Sequence, residues 1–140
     1  MTQRRHPLIA LRAAEVEALV ARAIPGARVI EMSLVTQGRC NTNYRIRADG
    51  EKGDFLLRLV ARGSEIAGTE LALLATIAGT IPVPDIVFAD IDSPGVHPFF
   101  VARWIEGDLF SERPDRGVAL GASLGRTLAR IHGFGFSNAG

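Results

Sequence analysis

A turn of glycine and small polar residues separates two strand-like stretches in LVTQGRCNTNYRIRADG, residues 34–50. Glycine adopts backbone conformations that other residues avoid, and asparagine tolerates left-handed ones, so such a turn can direct N–H groups toward an anion. The same residues also suit an ordinary hairpin tip. The turn alone therefore leaves two alternatives, a phosphate-binding loop and a plain hairpin. Its residues are Gly38, Arg39, Cys40, Asn41, Thr42 and Asn43.

A single arginine interrupts an apolar stretch shortly after this turn. Arg58 stands in LLRLV, where a positive charge has to be paired or has to reach water. Two acidic residues of the following segment, Glu65 and Glu70, could pair with it. The alternative is an arginine on an edge strand that points to solvent, which its apolar neighbours make less favourable.

The elements that would position these residues follow from periodicity and turn signals. Their order is helix, three strands, helix, two strands, linker and helix. This order predicts an α+β fold: a five-stranded antiparallel sheet with a packed helix, followed by a further helix. It lacks the βαβ alternation of a doubly wound sheet. The predicted helices cover 9–24, 64–79 and 118–132, and the strands cover 27–35, 43–48, 54–60, 81–91 and 99–105.

Composition excludes several classes of function. The 140 residues carry 16 basic and 15 acidic side chains, and a net charge of +1 predicts neither a nucleic-acid nor an anionic membrane partner. The longest uncharged run near the middle, residues 71–84, is shorter than the roughly 20 apolar residues of a spanning helix. The lone Cys40 rules out an internal disulfide and agrees with a cytoplasmic location. The three histidines show no metal-ligand spacing.

Five segments, in order, resemble the aminoglycoside phosphotransferase and choline-kinase-like family of small-molecule kinases, over roughly residues 16–132. QGRCNTNYRI is similar to the family's phosphate-covering loop, and DFLLRL to its third strand. TELALLATIAGTIPVPDIV is similar to the helix that carries a glutamate. PFFVARWIEGD resembles the hinge, and LGASLGRTLARIH the first long helix of the second lobe. Each segment is short, and their order gives the resemblance its specificity.

The resemblance implies a role for each matching residue. The loop would cover the phosphates of ATP, Arg58 would contact the α- and β-phosphates, and Glu70 rather than Glu65 would hold Arg58 by an ion pair. The backbone of the hinge would bond the adenine edge, while we expect Trp104 to pack between lobes rather than to stack on a ligand. The implied nucleotide-binding residues are Gly38, Arg39, Cys40, Asn41, Thr42, Arg58, Glu70, Ala102, Arg103, Trp104 and Ile105.

The resemblance also implies what this chain lacks. The family's catalytic H-G-D-x-x-x-x-N is absent, because IHGF at residues 131–134 has Phe134 in third place, and His132 is read as structural. We therefore expect residues 1–105 to form the N-terminal nucleotide-binding lobe and residues 106–140 to form the hinge linker and the start of a truncated C-terminal lobe. No catalytic residue and no metal ligand is assigned within the chain.

The resulting functional prediction is the ATP-binding half of a small-molecule phosphotransferase. When complete, it would transfer the γ-phosphate of ATP to a hydroxyl acceptor, with Mg²⁺ ligands in the missing C-terminal half; alone, the chain is expected to be inactive. The alternative is a non-catalytic module that binds nucleotide or a partner. The apolar side of the last helix predicts self-association.

Overall fold

The computed structural model describes residues 4–108 and 117–136, and it confirms the α+β fold and the five-stranded antiparallel sheet. The strands lie in the order β1-β2-β3-β5-β4, and every neighbouring pair is antiparallel. The elements are α1 (Ala13–Ala23), β1 (Val29–Val35), β2 (Thr42–Ala48), β3 (Phe55–Leu59), α2 (Ser64–Ile77), β4 (Ile86–Asp90), β5 (Phe99–Arg103) and α3 (Val118–His132).

One face of the sheet, here called the outer face, carries the main apolar core under α1. Successive strand residues point to opposite faces, and in β2 every second residue, from Thr42 to Ala48, is buried on this side. The same alternation buries Phe55, Leu57 and Leu59 of β3. Helix α1 covers them with three apolar residues at helical spacing, Val16, Leu19 and Val20.

The opposite face, here called the inner face, is only partly covered. Helix α2 packs over it through Ala67, which joins a smaller apolar cluster with Phe100 and Ala102 of β5. A Cβ added to Gly68 would lie 3.4 Å from Ile91 Cδ1, so this part of α2 packs against the chain just beyond β4. Residues of β1 and β2 on the inner face are mostly polar or charged.

The first helix begins at Ala13, and the prediction that it begins at residue 9 is wrong. The Ile9 N–H donates to Thr42 Oγ1 at 2.9 Å and the Leu11 N–H donates to the Tyr44 hydroxyl at 3.0 Å. These contacts hold residues 4–11, here called the strap, along the outer face. The Arg12 N–H donates to the Glu15 carboxylate at 2.8 Å, which satisfies a free N–H at the start of the helix.

The fourth strand is shorter than predicted, because it starts at Ile86 rather than at residue 81. Pro82 and Pro84 have no N–H to donate to a neighbouring strand, so the segment before Ile86 stays outside the sheet. The fifth strand ends at Arg103 rather than at residue 105.

Helix α3 follows β5 after the undescribed residues 109–116, and none of its residues is buried. On the apolar side predicted from the sequence, Leu124 and Leu128 expose 46% and 44% of their surface, whereas Leu120 and Ile131 are half-buried. The predicted self-association through this side stays a prediction. No helix in the described ranges combines the length and the apolar character needed to cross a membrane.

Candidate functional site

The turn between β1 and β2 leaves backbone donors free. Gly38 has φ +145°, a conformation that strains residues with a Cβ. In residues 4–108 and 117–136, neither the Arg39 N–H nor the Cys40 N–H has a hydrogen-bond acceptor. Two adjacent free N–H groups in a turn are suited to binding an anion.

The guanidinium of Arg58 lies beside this turn, in a network of hydrogen bonds. Its Nη2 is 2.9 Å from Glu70 Oε1, so the ion pair expected with Glu70 rather than with Glu65 is present. With its carboxamide oxygen turned toward the guanidinium, Asn41 accepts from Nη2 at 2.8 Å and from Nε at 3.1 Å. The side chains of Arg58 and Glu70 are 29% and 26% exposed, so the pair is held within the protein surface and still meets solvent.

Strand pairing explains why Arg58 points to the inner face. Its register partners are Asn43 in β2 and Phe100 in β5, and the Arg58 guanidinium carbon is 5.7 Å from the centre of the Phe100 ring. Asn43 stands in the predicted turn sequence but was not assigned to the site. Its Oδ1 is buried and has no hydrogen-bond partner in the described part of the chain. The amide could be noticed in the sequence, but its position beside Arg58 depends on the register.

A second charged group lies further along the inner face, toward the end of β5. Arg45 forms ion pairs with Asp54 and with Glu106, and its guanidinium carbon is 4.7 Å from the centre of the Trp104 ring. Arg47 Nε also lies 3.2 Å from Asp54 Oδ1. No motif in the sequence marks this group, because its members meet only through the pairing of strands.

Hydrogen bonding controls the charge of Asp54. The Arg45 hydrogen bond, supported by the one from Arg47, holds the pKa of Asp54 below its usual value, although burial acts in the opposite direction. The same bond raises the pKa of Arg45 above the usual guanidinium value. The group is therefore a fixed arrangement of charges at neutral pH, and not a proton donor or acceptor.

Part of the main chain of the hinge segment Ala102–Ile105 is already hydrogen-bonded within the fold. The Arg103 N–H donates to Asp85 O at 2.8 Å, and the Trp104 N–H donates to Asp54 O at 2.9 Å. Ile105 is the member whose N–H has no acceptor among the residues that the structure describes. If this segment bonds an adenine edge through an N–H group, Ile105 is the donor available without breaking the sheet.

Three of the predicted site residues have side chains that are not available to a ligand on the inner face. Thr42 is fully buried, and its hydroxyl accepts the strap hydrogen bond from Ile9 on the outer face. The Arg103 guanidinium lies over the Phe55 ring, also on the outer face, at 4.6 Å. The Ala102 side chain is buried in the cluster under α2. Any contact of these three with a nucleotide would have to use the main chain.

The described residues contain no group of three or more His, Cys, Asp or Glu side chains that could hold a metal ion. Asp90, one of two aspartates in the sequence ADID, forms structural contacts instead. It pairs with Arg22 and accepts a hydrogen bond from the Ser93 N–H at 3.1 Å. Hydrogen bonding by the Ser93 hydroxyl, together with the bond from the Ser93 N–H and the charge of Arg22, lowers the pKa of Asp90, although burial acts in the opposite direction. Residues 4–108 and 117–136 therefore do not form a Mg²⁺ site.

Comparison with protein families decides the classification of the chain. The model of the phosphotransferase enzyme family (APH) matches residues 31–140, which is most of the sequence. The chain belongs to this family. The family match confirms the resemblance to aminoglycoside phosphotransferases, and it includes the Gly38 turn, Arg58, Glu70 and the hinge. The strap and α1 precede the matched range. No curated protein matches the chain.

Proposed function

We propose that this member of the phosphotransferase family binds ATP on the inner face, as the nucleotide-binding part of an enzyme that phosphorylates a hydroxyl group of a small molecule. The observation that carries the proposal is the network of Asn41, Arg58 and Glu70 beside the Gly38 turn. A guanidinium donates charge-assisted hydrogen bonds to phosphate oxygens, and the neighbouring free N–H groups add donors for the same anion.

The two partners of Arg58 fit this role. Glu70 and Asn41 occupy Nη2 and Nε, which fixes the plane of the guanidinium and leaves Nη1 without a hydrogen-bond partner in the described residues. An arginine oriented in advance loses less side-chain entropy when a phosphate binds. The adenine would then lie toward the hinge, where the free N–H of Ile105 is found. A cytoplasmic location, which supplies ATP and keeps Cys40 reduced, belongs to the same proposal.

The test is calorimetric titration of ATP into the 140-residue chain and two substitutions of Arg58. Because one desolvated charge-assisted contact is worth roughly 1.5–3 kcal/mol, Arg58→Ala should weaken ATP binding about tenfold or more. Arg58→Lys keeps the charge and should retain most of the affinity. Arg28→Ala is the matched control, because it removes an equal charge from a side chain that is 77% exposed. Equal affinities for wild type and Arg58→Ala would remove Arg58 from the site.

Phosphate transfer is a separate question from binding. The 140 residues contain no H-G-D-x-x-x-x-N, so no carboxylate is present in the position that orients an acceptor hydroxyl. We therefore expect residues 1–140 to bind ATP with Mg²⁺ without acceptor-dependent turnover over a panel of hydroxyl compounds. Turnover by this chain would contradict the expectation and would require a catalytic base among its own carboxylates.

A further inference from the structure

The strap makes three hydrogen bonds to the Gly38 turn, and all three go to carbonyl oxygens. Arg4 Nη1 donates to Gly38 O at 3.1 Å, and Arg4 Nη2 donates to Asn41 O at 2.9 Å. The Arg5 N–H donates to Arg39 O at 2.7 Å. A single guanidinium thus bridges the two sides of the turn, and the adjacent main chain fixes the carbonyl between them.

The positions of these carbonyls determine where the N–H groups point. In a trans peptide unit, the C=O of one residue and the N–H of the next point in opposite directions, and the described residues contain no cis peptide. The carbonyls of Gly38 and Arg39 face the strap, so the N–H groups of Arg39 and Cys40 face away from it. These are the two N–H groups that have no acceptor in the part of the chain the structure describes.

The strap lies on the outer face, because its other hydrogen bonds go to Thr42 Oγ1 and to the Tyr44 hydroxyl, which both point to that side. The side opposite the strap is the inner face, where Arg58 lies. The N–H groups of Arg39 and Cys40 are therefore directed to the same side of the sheet as the Arg58 guanidinium.

From this arrangement we infer that Arg4 is a positioning residue for phosphate binding. It holds the Gly38 carbonyl toward the outer face and so directs the Arg39 N–H group toward the phosphates; by also binding the Asn41 carbonyl it keeps the Arg5 N–H on Arg39 O, which directs the Cys40 N–H group to the same side. The inference rests on the proposed function, because it concerns the same ATP site. Arg4 itself contacts carbonyl groups on the outer side and touches no phosphate. Its two-pronged geometry, rather than its charge alone, makes the contact, since a lysine ammonium lacks the planar fork.

The experiment compares wild type, Arg4→Ala and Arg4→Lys in the 140-residue chain, with ATP, inorganic tripolyphosphate and adenosine as probes. If the turn adopts its binding-competent geometry for only a fraction of the time once the fork is lost, ATP affinity falls in proportion to that fraction, by about three- to tenfold. Tripolyphosphate affinity should fall equally, and adenosine affinity should not change. Arg4→Lys should resemble Arg4→Ala, whereas lysine binding ATP as tightly as wild type would show that charge alone matters and would overturn the inference.

Amide hydrogen exchange provides a readout that a purely structural role for Arg4 would not give. In wild type, ATP should protect the Arg39 and Cys40 amides, and in Arg4→Ala the Arg5 amide should exchange faster even without ATP. Wild type that binds ATP without protecting these two amides would overturn the inference and leave the proposed function intact. Wild type that does not bind ATP would overturn both. Thermal unfolding of each variant shows whether a loss of affinity comes from unfolding. If Arg4→Ala is unfolded, the ATP affinity of Arg4→Lys compared with that of wild type tests the inference.

Discussion

The two faces of the sheet are built from the same strands but have different compositions. In β2, Tyr44 and Ile46 are buried on the outer face, whereas Arg45 and Arg47 alternate with them and lie on the inner face. Helix α1 covers the outer face with apolar side chains, while α2 covers only the part of the inner face formed by β3, β5 and β4.

This difference separates stability from binding. Apolar burial drives folding without specifying a ligand, and the outer face supplies most of it. Charged groups on a half-covered sheet contribute less to stability, since each pair has to offset the loss of hydration. The ion pairs on the inner face are therefore better explained by the anion that we propose they help to bind, and this explanation can be tested by changing matched residues on the two faces.

The largest expected effect is on the outer face. Leu57→Ala removes a fully buried side chain from the main core and should lower the free energy of unfolding by about 2–5 kcal/mol. Leu56→Ala, one residue away and only partly buried on the inner face, should cost clearly less. Urea denaturation of both variants measures the difference. Equal losses would mean that the inner face is as much a part of the core as the outer face.

An intermediate effect is expected for the ion pair of Arg58 and Glu70. A double-mutant cycle with alanine at both positions should give an interaction energy of about 1 kcal/mol, because each single variant leaves the other charge without its partner. The pair Arg28–Asp49 is the control. It is separated by 3.4 Å and its side chains are 77% and 61% exposed, so its coupling should be smaller. A coupling near zero for Arg58 and Glu70 would mean that the observed contact is not energetically significant.

The smallest effect is a dependence of stability on pH through Asp54. The pKa of Asp54 in the folded state is held below its ordinary value of 3.8 by Arg45 and Arg47, so this carboxylate stabilises the fold at neutral pH. The contribution is lost as the pH falls below the ordinary value and through the folded-state pKa. The difference in unfolding free energy between wild type and Asp54→Asn should therefore shrink from about pH 7 to about pH 3. The more exposed Asp49, changed to Asn, is the matched control, and an equal shrinkage there would argue against a specific role of Asp54.

The fold could be predicted well from the sequence, because local hydrophobic periodicity indicates the order of strands and helices. The alternation in NYRIRA and the lone arginine in LLRLV are visible without a structure, and the residue that pairs with Arg58 followed from a family resemblance. The predicted start of α1 was wrong because its determinants are distant in sequence: Thr42 and Tyr44 accept hydrogen bonds from N–H groups of the strap that are 33 residues away.

The hydrogen bonds of the main chain could not be predicted from the sequence either. The hinge was predicted as a single run of backbone groups, but the Arg103 and Trp104 N–H groups are bonded to Asp85 and Asp54. The type of a residue does not indicate whether its main-chain N–H will form such a bond. The grouping of Arg45 with Trp104 depends in the same way on where β5 ends relative to β2.

The strap also has a consequence for the order of folding. Its hydrogen bonds join residues that are 33 to 37 positions apart, and none of residues 4–11 is buried, so the strap adds little buried apolar surface to offset the entropy lost when it docks. Closing so long a segment costs chain entropy before any contact compensates for it. The strap should therefore dock late in folding and detach first on partial unfolding, while the sheet and α1 stay folded. Substitutions in residues 4–11 should accelerate unfolding and leave the folding rate almost unchanged.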